Sequence, residues 1–234
     1  MPVDHLEENL TAVRGRISQA CERAARDPST VELLAVSKSQ PPAVVERAAA
    51  LGLRLFGENR VQEAGSKMPL CPAHLRWHFI GHLQTNKCRE AAESFEMVQA
   101  VDSLRVAEEL NRRSEQAART LPVLLEVNVS GESSKHGLGP EAVLRELPAF
   151  NALGRLAVHG FMTMAPWSPL PERARLHFRK LREMRDACEQ ALGAPLPVLS
   201  MGMSGDFEVA IEEGATLIRL GTALFGTRKG ATPA

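Results

Sequence analysis

The feature that most constrains this chain is an alternation repeated eight times. Short runs of β-branched or apolar residues lead into Gly, Ser, Asn or Asp, then into Ala-, Leu- and charge-rich stretches of helical spacing. The strand-like runs are Val31–Ser37, Arg54–Gly57, Arg76–Ile80, Phe95–Val101, Pro122–Val129, Arg155–Met162, Pro197–Met201 and Thr216–Leu220. Between them the spacing predicts helices over Pro42–Leu51, Asn59–Lys67, Asn86–Ala92, Ser103–Ala118, Pro140–Phe150, Pro171–Leu192 and Asp206–Gly214. Strands that alternate with helices run parallel and are joined by crossovers. A doubly wound open sheet shares that alternation. Eight repeats in 234 residues favour a closed (β/α)8 TIM barrel, which takes roughly 250. Leu6, Leu10, Val13, Ile17 and Cys21 form one apolar stripe ahead of the first strand. They predict an extra N-terminal helix over about residues 4–26, ended by Asp27-Pro28, that plugs or flanks the barrel. No Gly/Ser linker or charge run marks a boundary. A single α/β barrel domain over residues 1–234 is expected, with a frayed tail from about residue 228.

Composition narrows the function classes. Lys plus Arg and Asp plus Glu both total 28, so broad binding to nucleic acid or anionic membrane has no electrostatic basis. Cys21, Cys71, Cys88 and Cys188 lack C-x-x-C spacing and read as free thiols of a reducing compartment. The start, MPVDHLEENL, is acidic and polar, unlike a signal peptide, and no apolar run approaches the roughly 20 residues that span a bilayer. A soluble cytoplasmic protein is expected, and the lack of an evident exposed apolar stripe leans toward a monomer. The chain has no tyrosine, which excludes any mechanism that needs a phenolic acid or base.

In a barrel of this type chemistry belongs at the C-terminal strand ends. Those positions here carry Lys38, Asn59, His82, Asp102, Asn128, Met162 with Thr163, Ser204, and Arg219 with Gly221 and Thr222. Lys38 leaves an apolar strand directly. Partial burial lowers a lysine pKa, and a neutral amine attacks aldehydes, although a solvated loop is the commoner fate of a lysine. Ser200–Gly226 offers Gly and Ser after the seventh strand and Gly221-Thr222 after the eighth, the frequent phosphate position in such barrels. Tight turns alone also explain those glycines. Arg219 either pairs with a core acid or meets a ligand ring. Met162 either packs in the core or lines an apolar ring pocket. His74, His78 and His82 recur every four residues, but in a strand that spacing spans ~13 Å, too far to share a metal ion with bonds near ~2 Å. No metal is expected. An amine, a phosphate cradle and a strand arginine at one rim match the aldehyde, phosphate and ring nitrogen of pyridoxal 5′-phosphate (PLP).

Six segments carry a family resemblance: LLAVSKSQP around Lys38, FGENRVQE at 56–63, WHFIGHLQTNK at 77–87, VNVSGESSKHGL at 127–138, GFMTMAP at 160–166 and LSMGMSGDFEVAIEEGATLIRLGTALFG at 199–226. They resemble the pyridoxal phosphate homeostasis protein family, whose bacterial and yeast members are called YggS-like. The resemblance implies a fold-type III barrel like the N-terminal domain of alanine racemase, with PLP held on Lys38 as a Schiff base. It implies that Ser204, Gly205, Gly221 and Thr222 hold the phosphate, that Arg219 faces the pyridine nitrogen, and that Asn59 and His82 lie near the pocket. The family usually has Leu-Met where this chain has Phe161-Met162, and often Asn or Asp where Gly205 stands. At 205 only a backbone N–H is left to act.

A permanently charged arginine at the ring nitrogen disfavours its protonation and makes the ring a poorer electron sink. Racemisation on this fold relies on a tyrosine base from a second domain, and neither is expected here. The reading is a PLP-binding carrier in cofactor homeostasis, without turnover, whose partners are PLP and PLP-dependent apoenzymes. The alternatives are a PLP-dependent amino-acid racemase or lyase using His82 or Cys88, and a cofactor-free lysine aldolase acting on sugar phosphates.

Overall fold

The computed structural model describes residues 5–132 and 136–227. Eight parallel strands close into a barrel in sequence order. They are β1 (Glu32–Val36), β2 (Leu55–Glu58), β3 (Arg76–Phe79), β4 (Met97–Val101), β5 (Leu121–Glu126), β6 (Leu156–Met162), β7 (Val198–Ser200) and β8 (Leu217–Leu220). The helices are α1 (Leu6–Arg23), α2 (Pro42–Ala50), α3 (Val61–Lys67), α4 (Cys88–Ser94), α5 (Leu104–Gln116), α6 (Pro140–Asn151), α7 (Arg175–Leu192), α8 (Phe207–Glu212) and α9 (Thr222–Phe225). The pairing of β1 with β8, Leu34 opposite Arg219, closes the ring and excludes the open sheet.

The expected elements are all present, with ends that differ by a few residues: most are shorter, while β2, α4 and α6 run one or two residues further. The fifth strand stops at Glu126 rather than Val129. Beyond it the Asn128 side chain accepts from Ser130 Oγ and Gly131 N at 3.0 Å each and donates to the Glu132 carbonyl at 2.8 Å, which folds the chain into a loop. That loop returns through a bridge between Val127 and Leu138. The short α9 was not anticipated. The tail expected to fray, residues 228–234, lies outside the described residues.

The N-terminal helix flanks the barrel and does not plug it. Its apolar stripe, including Leu10, Val13 and Ile17, is buried. Arg16 pairs bidentately with Glu208 of α8 at 3.0 and 2.7 Å, and Asn9 Nδ2 donates to the Leu224 carbonyl of α9 at 3.0 Å. So α1 clasps the two elements that follow β7 and β8.

Strand alternation sorts the core. Ala35, Val123 and Leu125 face the helices and join the large cluster between sheet and helices. The opposite faces build two small clusters, Leu34, Val36, Leu55 and Leu217 in one and Met97, Ala100, Leu124 and Met162 in the other. Beside them run buried polar side chains, Gln99, His78, Ser200 and Arg219. Buried polar groups persist only when they are hydrogen-bonded, so this interior is ordered by directed bonds as well as by packing.

Candidate functional site

Arg219 anchors the site. It is 4% exposed on β8, where Nη1 donates to Ser200 Oγ at 2.6 Å and Nη2 to the Thr163 carbonyl at 2.8 Å. Neither partner is an acid. Burial lowers its pKa to about 10, while Asp206 and Glu126 act from a distance to raise it, so the guanidinium stays charged at neutral pH. Ser200 Oγ donates onward to Gln99 Oε1 at 2.6 Å, and Gln99 Nε2 meets His78 Nδ1 at 2.8 Å. This line of side chains holds the arginine from beneath. It passed unnoticed in the sequence, because Gln99 and His78 meet only once β3 and β4 lie side by side.

Lys38 sits in the turn that follows β1, half-buried. The same strand approaches the β8 turn: a Cβ placed on Gly221 would lie 3.5 Å from Val36 Cβ. Gly221 precedes α9, which opens at Thr222. Ser204, after β7, accepts from the Ala223 backbone N–H at 3.0 Å. Lys38, Ser204, Gly221 and Thr222 therefore belong to one stretch of rim, although 165 or more residues separate Lys38 from the rest. Gly205 is exposed, and a Cβ there would meet nothing within 4 Å among the described residues, so none of them makes a steric demand on its hydrogen. Gly202 differs. Its φ is +94°, and a Cβ would come within 2.6 Å of Ala210 Cβ and 2.9 Å of Phe207 Cα. Only glycine allows α8 to begin this close to β7.

Met162 ends β6 and is buried with Met97, Ala100 and Leu124. Asn59 follows β2, and His82 lies in the loop after β3. The two share a cleft of 210 Å³. Gly81 makes this possible, since a Cβ there would lie 2.4 Å from the Asn59 carbonyl oxygen. His82 Nδ1 bonds to Asp102 Oδ2 at 2.9 Å, and its ring stacks on His136 with centroids 4.0 Å apart and planes at 14°. A cleft of 680 Å³ opens beside this trio. The ligand atoms of His82, Asp102 and His136 all lie within 4.8 Å of one another. Near-parallel imidazoles at that separation keep their in-plane lone pairs from converging on one ion, since metal–nitrogen bonds of about 2 Å must lie in both rings. His74 and His78 take no part: His78 is buried on β3 with Gln99 as its partner.

Glu126, at the end of β5, is a buried titrating group that nothing in the sequence singles out. Burial raises its pKa to about 7, with Asp102 adding to the rise and Arg219 and His82 opposing it. Cys88 is buried at the start of α4, and burial pushes its thiol up to about 12, which removes it as a base.

The donor set fits PLP: an amine at the end of β1, hydroxyl and glycine turns after β7 and β8, and a rigidly held guanidinium on β8. Among the described residues no helix is long and apolar enough to cross a membrane.

The chain matches the family profile described as "Alanine racemase, N-terminal domain" over residues 8–229. It is 47% identical over 232 residues to the pyridoxal phosphate homeostasis protein of Pseudomonas aeruginosa, with 98% of each chain covered. It is similar to PipY of Synechococcus elongatus PCC7942, solved with PLP bound, at 37% identity and a TM-score of 0.83, covering 94% of this chain and 100% of that one. An alanine racemase of Clostridium difficile shares the fold at 18% identity and a TM-score of 0.74, with 96% of this chain matching 57% of that one. Closed barrel and relatives agree, and the chain belongs to the alanine racemase N-terminal domain family and, within it, to the pyridoxal phosphate homeostasis proteins.

Proposed function

We propose that this protein binds PLP reversibly through Lys38 and serves intracellular PLP homeostasis without catalytic turnover. The observation that carries the reading is the meeting of distant segments at one rim. The strand that delivers Lys38 passes so near Gly221 that a Cβ there would contact Val36, and Ser204 ties the β7 turn to α9. When bound, PLP supplies an aldehyde that condenses with a neutral amine, releasing one water, and that bond reverses with water or exchanges with another amine. The rest falls to this chain's residues. Lys38 presents its amine from a short turn. The hydroxyls of Ser204 and Thr222 and the backbone at Gly205 and Gly221 receive the phosphate. Arg219 donates toward the ring nitrogen from a fixed position, because Ser200 and Thr163 hold its other face. Met162 lines the apolar side, and Asn59 and His82 stand at the edge.

The case against turnover rests on the acid–base inventory. The chain has no tyrosine, and Arg219 stays charged at neutral pH, so the ring nitrogen stays unprotonated and carbanion stabilisation is weak. One observation favours a racemase or lyase instead: the His82–Asp102 pair, an oriented imidazole at the rim. Deuterium exchange at the α-carbon across a panel of amino acids separates the two readings, and exchange above the rate of free PLP favours the enzyme. The protein is proposed to act as a cytoplasmic monomer that exchanges PLP with dependent apoenzymes.

The direct test is the visible spectrum of the protein loaded with PLP, beside Lys38→Ala. The wild type is expected to be yellow and the variant to retain only the spectrum of free PLP. Equal spectra would contradict the assignment of Lys38.

A further inference from the structure

Lys38 occupies the second position of a four-residue turn, Ser37 to Gln40, closed by the Gln40 N–H donating to the Ser37 carbonyl at 2.9 Å. The third position, Ser39, has a φ of +62°. That is the geometry of a type II turn, whose third residue is ordinarily glycine. A non-glycine residue held there costs on the order of 1 kcal/mol and persists only where its surroundings over-determine it. The surroundings here are unusual. Lys67, at the end of α3, is 5% exposed, which is rare for a lysine. Its Nζ donates to the Ser37 carbonyl at 2.8 Å, to Glu58 Oε1 at 2.7 Å and to Glu63 Oε1 at 2.8 Å, using all three of its protons. Glu58 Oε1 also accepts from Ser37 Oγ at 2.7 Å. Glu63 Oε1 also accepts from the Ser39 backbone N–H. Lys67 thus grips the residue before Lys38 directly and the residue after it through Glu63. Burying a charge pair is costly and by itself weak support for stability. Glu58 keeps a second carboxylate oxygen, Oε2, buried without a partner among the described residues. So costly an arrangement around one turn points to what the turn carries.

We propose that Glu58, Glu63 and Lys67 are positioning residues that clamp the backbone on both sides of Lys38 and preset its amine for an aldehyde. The role assigned to Lys38 rests on the PLP reading above, while the clamp itself has a separate readout. The clamp lets the amine meet the aldehyde without first ordering the turn. Misplacing a reacting group by an ångström costs up to about a hundredfold in rate.

The test compares wild type with Glu63→Ala, Glu63→Gln, Lys67→Met and the double variant Glu58→Gln/Lys67→Met, each checked for folding by circular dichroism and thermal unfolding. Glu63 is partly exposed, so its variants keep the fold. The double variant removes the buried charges together, so it folds even where Lys67→Met does not. In cofactor-free protein, amide hydrogen exchange at Ser39 and Gln40 is expected to quicken in Glu63→Ala and in the double variant, and to return toward wild type in Glu63→Gln, which keeps the acceptor. With PLP added, the rate of capture, followed by absorbance across a pH series, is expected to fall about tenfold or more in the same variants, with Glu63→Gln restoring most of it. Folded Glu63→Ala and double variants that keep wild-type exchange, capture rate and pH profile would overturn the proposal. Borohydride reduction of wild type separates the two claims. If it fixes no PLP to Lys38, the PLP reading fails and the clamp is judged by exchange alone.

Discussion

At the residue scale, exposure and partners decide what each candidate can do. Lys38 and Arg219 were legible because a charged residue at or near the end of an apolar strand is an anomaly in any sequence. Gln99, Ser200 and His78 were not, because each looks like an ordinary strand residue until neighbouring strands supply its partner. Nothing in the sequence marks Lys67, in the last turn of a helix, as buried; the packing of α3 on β2 buries it against Glu58. Arg219→Gln removes a guanidinium that satisfies Ser200 Oγ and the Thr163 carbonyl. Leaving such groups unpaired costs about 1–3 kcal/mol, so the melting temperature should fall by about 2–4 °C per kcal/mol. PLP should still bind Lys38, but with an altered absorption spectrum. An unchanged spectrum and affinity would show that Arg219 does not touch the ring. Glu126 gives a pH signature. Its carboxyl is held at about 7 in the fold against 4.5 ordinarily. The stability that shift contributes is complete below pH 4.5 and is lost as pH rises through about 7, on the order of 3 kcal/mol in all. Glu126→Gln should therefore match the wild type near pH 4 in thermal unfolding and exceed it at pH 8. Equal pH dependence in both proteins would contradict the shift.

At the scale of elements, the sequence placed every strand and most helices within a few residues. The ends it missed were set by side-chain bonds that periodicity does not record, such as the Asn128 amide that turns the chain after β5. Glycines divide in the same way. Gly202 and Gly205 stand three residues apart in one turn and look alike in the sequence, yet only the first is at positive φ against the start of α8. Gly202→Ala should cost about 1–3 kcal/mol and weaken PLP binding by displacing Ser204. Gly205→Ala should change stability by less than about 0.5 kcal/mol and leave binding intact, since its backbone N–H remains. Thermal unfolding and PLP titration of the pair check both statements. Similar behaviour of the two variants would sink the distinction.

At the scale of the molecule, the count of eight favoured a barrel, but closure was not legible in a local pattern. It depends on β1 reaching β8, a contact between opposite ends of the chain. The same closure brings Lys38 to the turns after β7 and β8, so fold and candidate site follow from one long-range pairing. The surface held a feature the sequence reading did not anticipate. Met164, Trp167, Leu170 and Leu176 are exposed, Trp167 to 75%, in and beside the loop between β6 and α7. A monomer is still expected in sedimentation velocity across a wide range of concentrations, and a mass that doubles with concentration would contradict it. A crystal structure of the protein grown with PLP decides whether Lys38 carries the cofactor. Continuous density is expected from Lys38 Nζ to PLP, with the phosphate against Ser204, Gly221 and Thr222 and the ring nitrogen facing Arg219. Cofactor bound elsewhere, or no density joined to Lys38, would contradict it.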